Sequence, residues 1–311
     1  YFTEEYVSNL KQSLETGERR SLRSRRNKRY VSGKGLYDRY VSDICESTDT
    51  VKSLVDKLER QNICVTEMVM RTLLADCALK LLVSSGEITV DREIFPAYID
   101  GSLTIGVWSA LIDDIIQDKK AALSWANNNK NLMDTNYYYQ KGEDVLGLLY
   151  MSIRDAGSRK AAGSYYTPTK VVRTLISDVT GDMGSRISEG GKRLFDPCCG
   201  TGNFLIQLPD DIELNNIYAC DIDELSVQLA RFNLALGRLS GRRHVNVDEA
   251  IWTIYEHIER RDFISEYRND SECGGDDKKL LADPGYDIII GNPPWGYTFD
   301  RETRTLLRKA Y

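Results

Sequence analysis

The chain has 311 residues, 41% hydrophobic and 28% charged, which suits a folded protein of more than one domain. No apolar run reaches the ~18–20 residues of a membrane span, and the first residues lack a secretory signal, so we expect a cytoplasmic protein. Seven cysteines without a repeated spacing, together with only two histidines, argue against a disulfide framework, a metal site and histidine-based catalysis.

Charge is distributed unevenly near the start of the chain. The net charge is −6, which by itself argues against binding to nucleic acid. Residues 19–29 nevertheless contain seven basic side chains and no acidic one. Such a run can contact the phosphates of DNA, or it can simply be a solvated segment, and the sequence leaves both interpretations open.

Residues 1–141 are predicted to form a mostly helical domain. Residues 68–83 read as a buried helix, because the apolar positions recur at helical spacing. A second helix is indicated by an apolar stripe at i, i+3, i+4 and i+7, formed by Trp108, Leu111, Ile112 and Ile115. The adjacent acids at 113 and 114 point away from that stripe, so we expect a solvated face and not a catalytic carboxylate pair.

From residue 142 the pattern changes to short apolar runs that alternate with helical segments, which is typical of a parallel α/β sheet. A helix is predicted from about residue 146. The next helix is predicted to have Thr167 as its N-cap and Pro168 as its first residue, with Val171, Val172, Leu175 and Ile176 on its buried side. Strands are predicted at residues 193–196, 216–221 and 286–291, with an amphipathic helix carrying Leu225, Leu229, Phe232 and Leu236 between the last two.

The first predicted strand ends in a glycine-containing loop, Asp196-Pro-Cys-Cys-Gly-Thr-Gly-Asn-Phe-Leu. Gly200 and Gly202 allow a sharp turn and a close ligand approach at the carboxyl edge of the sheet, where open α/β sheets bind ligands. Asp221 follows Gly202 by nineteen residues, about the spacing at which an acid reaches a ribose diol. The combination indicates a nucleoside cofactor.

Two phosphate-binding alternatives fit this loop poorly. A dinucleotide fingerprint needs a third glycine where this chain has Leu205, and a P-loop needs a Gly-Lys-Ser/Thr that is absent here. S-adenosylmethionine carries no phosphate and requires only a close-approach loop, so it suits this sequence better.

The third predicted strand ends in Asn292-Pro293-Pro294-Trp295. Two consecutive prolines cannot continue a central strand, but they fix a rigid extended turn. The Asn292 amide oxygen can accept a hydrogen bond from an exocyclic amine, and Trp295 offers a face on which an extruded base could stack. The alternative is a proline-rich strand exit with a buried tryptophan.

These motifs, with Gly163-Ser-Tyr-Tyr-Thr-Pro before them, occur in the order that is seen in N6-adenine DNA methyltransferases. The chain specifically resembles the group of type I modification subunits and fused type II restriction-methylation enzymes. The resemblance covers residues 142–311. It implies a Rossmann-like class I methyltransferase domain at 142–311, incomplete at its C-terminal side, after the helical domain at 1–141.

The resemblance also implies a role for each motif residue. Tyr166 and Thr167 would lie over the methionine part of S-adenosylmethionine, and Asp196, Gly200 and Gly202 would hold its amino acid end. Asp221 would bind the ribose and Asp262 the adenine amine. The Asn292 side chain and the Pro293 carbonyl would accept hydrogen bonds from the N6 amine of the target adenine. Trp295 would stack on that base. The remaining member of the predicted catalytic motif is Pro294.

Two features depart from the family pattern. Residues 249–258 read as a helix where the family has a third strand before the acid that Asp262 matches. Pro209 also limits the helix after the glycine loop to about two turns, where the family has a longer one.

Two other functions remain open at this stage. Asn-Pro-Pro followed by an aromatic residue also occurs in methyltransferases of ribosomal guanine and of a release-factor glutamine. A non-catalytic methyltransferase-like scaffold that binds DNA or a partner is the other alternative.

The implied partners are double-stranded DNA and a specificity or restriction subunit, or a fused nuclease or target-recognition domain. After the Asn-Pro-Pro-Trp strand the sequence has residues 296–311, in which 302–309 read as one helix. We therefore expect a longer polypeptide or a partner to supply the rest of the sheet and the module that reads DNA sequence.

Overall fold

The computed structural model describes residues 46–157, 167–181, 191–242, 246–263 and 285–293. All of them belong to one structural unit, Cys45–Tyr311. The basic segment at 19–29 lies outside the described residues, so its predicted contact with DNA phosphates stays a prediction.

Helices make up most of the described residues between 46 and 141. In chain order they are α1 (Glu46–Arg60), α2 (Glu67–Ser84), α3 (Ile94–Ile99), α4 (Trp108–Ile116), α5 (Lys119–Asn128) and α6 (Lys130–Met133). Of the helices that the structure describes, none combines the length and the apolar character needed to cross a membrane.

Helix α2 is the buried helix that the sequence predicts. The Thr66 hydroxyl caps it by accepting from the Val69 amide at 3.3 Å, and the helix ends at Ser84. Residues on nearly all sides of the helix are buried, and not only those of one stripe. The Asp76 carboxylate is among the buried groups. This carboxylate is paired with Lys80, one turn later, at 2.7 Å.

Helix α4 buries Trp108, Leu111, Ile112 and Ile115, as predicted. Of the two adjacent acids, Asp113 is exposed and lies on the solvated face that the sequence predicts. Asp113 accepts from the Tyr98 hydroxyl and pairs with Lys119 at 2.7 Å. Asp114, which is half-buried, accepts from the Tyr255 hydroxyl at 2.7 Å. Each carboxylate therefore has a structural partner.

Two helices precede the sheet, α7 (Val145–Gly157) and α8 (Thr169–Gly181). Helix α8 begins one residue later than predicted, since the Pro168 carbonyl accepts the first intrahelical bond, from the Val172 amide. Val172 and Ile176 are buried as expected. Leu175, predicted to be buried, is 42% exposed, because the described part of α8 packs through a narrower stripe than its apolar positions suggest.

The part of the sheet that the structure describes is parallel and has four strands in the order β3-β2-β1-β4. The strands are β1 (Leu194–Asp196), β2 (Ile217–Asp221), β3 (Ile258–Arg260) and β4 (Ile288–Ile289). Strands β1, β2 and β4 fall within the three predicted segments. Strand β3 ends two residues before Asp262 and follows the helix predicted in this region. Both that helix and the third strand of the family pattern are therefore present.

The segment after the glycine loop is shorter than the two helical turns predicted. It consists of turns at 201–204 and a single 3-10 turn, Leu205–Gln207. The reason is Pro209, because the residue before a proline is driven out of the helical region. Leu208 accordingly has an extended backbone, with φ −64° and ψ 140°.

Two further helices, α9 (Glu224–Leu239) and α10 (Val247–His257), complete the mixed α/β architecture. The predicted apolar stripe of α9 is buried throughout. One hydrophobic core includes Leu74 and Ile115 of the helical part together with Phe232 of α9 and Ile217 of β2. The division of the chain into domains at 141/142 remains a prediction.

Candidate functional site

A cleft lies at the carboxyl ends of β1, β2 and β4, which meet at one edge because the strands are parallel. Residues from helix α7, from the segment before α8, from the glycine loop and from the turn after β4 line it. The lining side chains are Tyr150, Met151, Arg154, Thr167, Cys198, Cys199, Gly200, Thr201, Asn203, Phe204, Asp221, Ser226 and Asn292. The cleft therefore brings together four of the site residues predicted from the sequence: Thr167, Gly200, Asp221 and Asn292.

Asp221 fixes the glycine loop and the start of α9. One carboxylate oxygen accepts from the Gly200 amide at 2.8 Å, and the other accepts from the Asp223 amide at 2.9 Å. Gly200 has a φ of +53°, a conformation that suits glycine. Burial raises the pKa of Asp221, while these backbone bonds lower it. The Asp221 carboxylate therefore holds the glycine loop in place.

Gly202 has a different structural reason to be glycine. Its φ is +88°, and a Cβ at this position would lie 3.2 Å from Cα and Cβ of Ala230 in α9. The residue therefore allows the loop to pack closely on α9. It is not among the residues that line the cleft.

Thr167 connects two motifs that are far apart in sequence. Its hydroxyl accepts from the Asn292 amide nitrogen at 3.0 Å, and its carbonyl accepts from the Asn203 amide nitrogen at 2.7 Å. Asn203 belongs to the glycine loop. The Tyr-Tyr-Thr-Pro, glycine-loop and Asn-Pro-Pro motifs therefore meet at Thr167.

Asp196, at the end of β1, carries an unsatisfied buried oxygen. One oxygen accepts from the Cys198 amide at 3.0 Å, while the other has no hydrogen-bond partner among the described residues. Burial, and to a smaller extent the nearby Asp221, raise the pKa of this carboxyl to about 7, although the bond from the Cys198 amide lowers it. A Cβ on Gly291 would overlap the Asp196 carboxylate, so the close approach of the two segments requires glycine there.

Helix α7 forms a wall of the cleft that the sequence reasoning missed. Tyr150 and Arg154 are one turn apart, and the guanidinium donates to the Tyr150 hydroxyl oxygen at 3.1 Å. The Tyr150 hydroxyl donates to Asp223 at 2.6 Å, which ties α7 to the N-terminus of α9. Among the described lining residues, Arg154 is the one cation. The i, i+4 spacing of Tyr150 and Arg154 was a signal in the sequence, but nothing local placed it at the cleft.

The other predicted site residues are placed differently or fall outside the description. Asp262 is half-buried two residues after β3, and Pro293 is exposed, and neither lines the cleft. Tyr166, Pro294 and Trp295 lie outside the described residues. Their roles remain predictions.

Comparison with known proteins gives this cleft a family context. The family model described as N-6 DNA Methylase matches residues 141–309. The chain belongs to the N-6 DNA methylase family. The match includes the glycine loop, Asp221 and the Asn-Pro-Pro-Trp motif, and it confirms the resemblance inferred from the sequence.

Individual relatives of this N-6 DNA methylase are distant. It is 26% identical over 220 residues to the type II methyltransferase M.VspI of Vibrio sp. (strain 343), covering 70% of this chain and 46% of that one. It is 25% identical over 169 residues to the type I restriction enzyme EcoEI methylase subunit of Escherichia coli, covering 54% and 31%. A solved DrdV–DNA complex aligns with a TM-score of 0.41 and 16% identity over 87% of this chain and 30% of that chain. The chain thus spans less than half the length of these relatives.

Proposed function

We propose that this chain carries the cofactor-binding and methyl-transferring part of a DNA adenine N6-methyltransferase of a restriction-modification system. The observation that carries the proposal is the meeting of Thr167, the glycine loop, Asp221 and Asn292 in one cleft. Family membership and two relatives named as restriction-modification methyltransferases support it. In this proposal the four parallel strands are part of a Rossmann-like class I methyltransferase sheet.

Two residues of the cleft, and Asp196, which accepts from the amide of the lining residue Cys198 without lining the cleft itself, match the polar groups of S-adenosylmethionine. The buried, unsatisfied oxygen of Asp196 suits the α-ammonium group of the methionine end. Asp221 retains acceptor capacity for a ribose hydroxyl, because each carboxylate oxygen has two lone pairs. Arg154 supplies positive charge for the carboxylate of the same ligand. Asp196 and Arg154 therefore complement the two charged groups of the amino acid end, and Asp221 complements the neutral ribose.

The size of the cleft implies a movement on binding. Its cavity volume is about 80 Å³, whereas small-molecule and cofactor sites usually enclose ~300–1,000 Å³. A nucleoside ligand must therefore displace side chains of the rim. Met151, on the α7 wall, is a long and flexible side chain that can turn outward.

The reaction needs an acceptor for the hydrogens of an amine. The cofactor supplies a methyl group bonded to a positively charged sulfur, which leaves as a neutral thioether with the S–C electron pair. The adenine N6 forms the new N–C bond and releases one of its protons to solvent, so that the methylated amine is neutral. The amide oxygen of Asn292 would accept a hydrogen bond from the N6 amine. This hydrogen bond would localise the lone pair on the nitrogen. The Thr167 hydroxyl engages the amide nitrogen at 3.0 Å and so fixes which way that oxygen points.

DNA is the substrate class that this proposal implies. The target adenine must leave the duplex to enter a cleft, and Trp295 would stack on it. The basic run at 19–29 would contribute contacts to phosphates, and a further domain or partner subunit would read the sequence.

A direct test is to incubate the purified full-length protein with S-adenosylmethionine and unmethylated duplex DNA and to analyse the nucleosides by mass spectrometry. We expect N6-methyladenine, with no product when Asp221 is replaced by Ala. Methylated guanine in ribosomal RNA or methylglutamine in a release factor, without methylated adenine, would refute the substrate class. Cofactor binding without any product would favour a non-catalytic scaffold.

Affinity for S-adenosylmethionine is expected to rise as the pH increases from about 5.5 to about 7, by up to about tenfold per pH unit. The reason is that the ligand ammonium binds ionised Asp196, whose pKa burial raises from 3.8 to about 7. In the ligand-free protein the same raised pKa has the opposite effect. The folded chain binds this proton more tightly than the unfolded chain, so this carboxyl lowers stability as the pH rises through that window.

The matched measurement uses Asp196→Asn and titration calorimetry across this pH range. The variant should bind more weakly and with no pH dependence from this group. Wild-type affinity for 5′-methylthioadenosine, which lacks the ammonium group, should also be independent of pH. A pH dependence that persists in Asp196→Asn would contradict the assignment.

A further inference from the structure

A fully buried carboxylate, Asp144, lies just before α7 and outside the cleft lining. One of its oxygens accepts from the Gly147 amide at 2.7 Å and from the Asn233 amide nitrogen at 2.7 Å. Its other oxygen accepts from the Thr201 hydroxyl at 2.6 Å. The first of these bonds is an N-cap interaction, since the Asp144 carbonyl also accepts from the Leu148 amide at 3.0 Å.

Thr201, the second partner, belongs to the glycine loop of the cleft. Its hydroxyl is bound by Asp144, and its carbonyl accepts from the Asn233 amide nitrogen at 2.9 Å. Asn233 itself is on α9. The loop is therefore held through both side chain and backbone, from helix α7 and from helix α9 together.

The contact between α7 and the loop is too close for a side chain to intervene. A Cβ on Gly147 would overlap both the Asp144 carboxylate and the Thr201 hydroxyl. The loop itself contains Gly200 and Gly202, which have wide backbone freedom and lose much entropy when they are ordered. Without an external anchor such a loop would have to be ordered by its ligand, which would weaken ligand binding.

We propose that Asp144 is a positioning residue that holds the glycine loop ready for the methionine end of S-adenosylmethionine and thereby sets cofactor affinity without touching the cofactor. This inference rests on the proposed function, in which the loop receives the amino acid end of the ligand. A capping role alone would require only the bond to Gly147. The two other partners, Thr201 and Asn233, connect the carboxylate to the loop.

The electrostatic cost of this arrangement agrees with a positioning role. Burial raises the pKa of Asp144 to about 6 even though the bonds from Thr201, Gly147 and Asn233 act in the opposite direction. Three hydrogen bonds therefore stabilise the buried carboxylate. Removing any one of them would leave a buried polar group without a partner.

The test compares two ligands, S-adenosylmethionine and 5′-methylthioadenosine, which lacks the amino acid end. In the full-length protein, Asp144→Ala should raise the Kd for S-adenosylmethionine by about tenfold or more, and change the Kd for 5′-methylthioadenosine by less than about twofold. Asn233→Ala removes the second anchor and should show the same selectivity if Asp144→Ala fails to fold. Asp144→Asn keeps hydrogen-bonding groups at both positions and should restore most of the affinity.

The matched control is Asp76→Ala in α2, which removes another buried carboxylate, remote in sequence from the loop. It should lower thermal stability and leave the ratio of the two Kd values unchanged. In the methylation assay, Asp144→Ala should raise the KM for S-adenosylmethionine and leave kcat within about twofold of wild type. The reason is that the free-energy cost of ordering the loop falls on ligand binding and not on methyl transfer.

Equal losses for both ligands in Asp144→Ala, or a lower kcat with an unchanged KM, would show a merely structural role and overturn the inference. Wild-type protein that binds neither ligand would instead refute the proposed function.

Discussion

Asn292→Ala in the full-length enzyme should lower kcat by about 10²–10³-fold, the range for removal of one preorganised hydrogen-bonding group from a reaction centre. The amide is held by Thr167 at the cleft and is the group that we propose accepts an N6 hydrogen of the target adenine. Because the amide oxygen would act on the substrate amine, the Kd for S-adenosylmethionine should change by less than about twofold.

Thr167→Val is the matched control for this prediction. It keeps the shape of the side chain and removes the hydroxyl that holds the Asn292 amide, so kcat should fall by less than in Asn292→Ala. Single-turnover rates and calorimetric Kd values on both variants measure the two effects separately. Wild-type turnover in Asn292→Ala would refute the proposed mechanism. A parallel loss of cofactor binding would show that Asn292 binds the cofactor instead of orienting the substrate amine.

Gly147→Ala should lower the free energy of unfolding by about 3 kcal/mol, the upper part of the range for an overpacked site. Its Cβ would overlap the Asp144 carboxylate and the Thr201 hydroxyl, so the substitution has to break a buried hydrogen-bonded network. Denaturant unfolding of the variant, followed by circular dichroism, measures the change.

Gly237→Ala provides the matched control, because Gly237 is also a helical glycine. It lies in α9, and the nearest atom to an added Cβ is Cγ2 of Ile206 at 3.8 Å, which is ordinary contact. Alanine should therefore stabilise the fold by about 0.5–1 kcal/mol through helix propensity. If both variants were stabilised, the close packing of α7 on the loop would be wrong.

Much of the secondary structure could be predicted because it depends on local patterns. The helical spacing of Leu111, Ile112 and Ile115 in α4 reports directly which side is buried. Strands β1 and β2 were found because each is a short apolar run that ends at a motif acid, Asp196 or Asp221. Strand β3 was hard to see because it has three residues, two of them exposed and charged, and follows a helix without a break.

Burial is a less local property, and there the sequence was a weaker guide. Leu175 has the correct spacing for the buried stripe of α8 and is nevertheless exposed, since exposure depends on what packs against the helix. Asp114 sits beside an apolar stripe, yet it is half-buried because Tyr255 of α10 reaches it. The partner was 141 residues away in the sequence.

The motifs, their order and the family could be identified from the sequence, because a glycine loop, a spaced acid and an Asn-Pro-Pro turn are each recognised by their residue types. The residues that hold these motifs in place could be identified only in the folded chain. Thr167 meets Asn292 across 125 residues, and Asp144 meets Thr201 across 57. Periodicity indicates which element a residue belongs to, but the hydrogen-bond partner of its side chain is selected by how the helices pack on the sheet. For that reason the loop anchor and the α7 wall of the cleft became visible only in the folded chain.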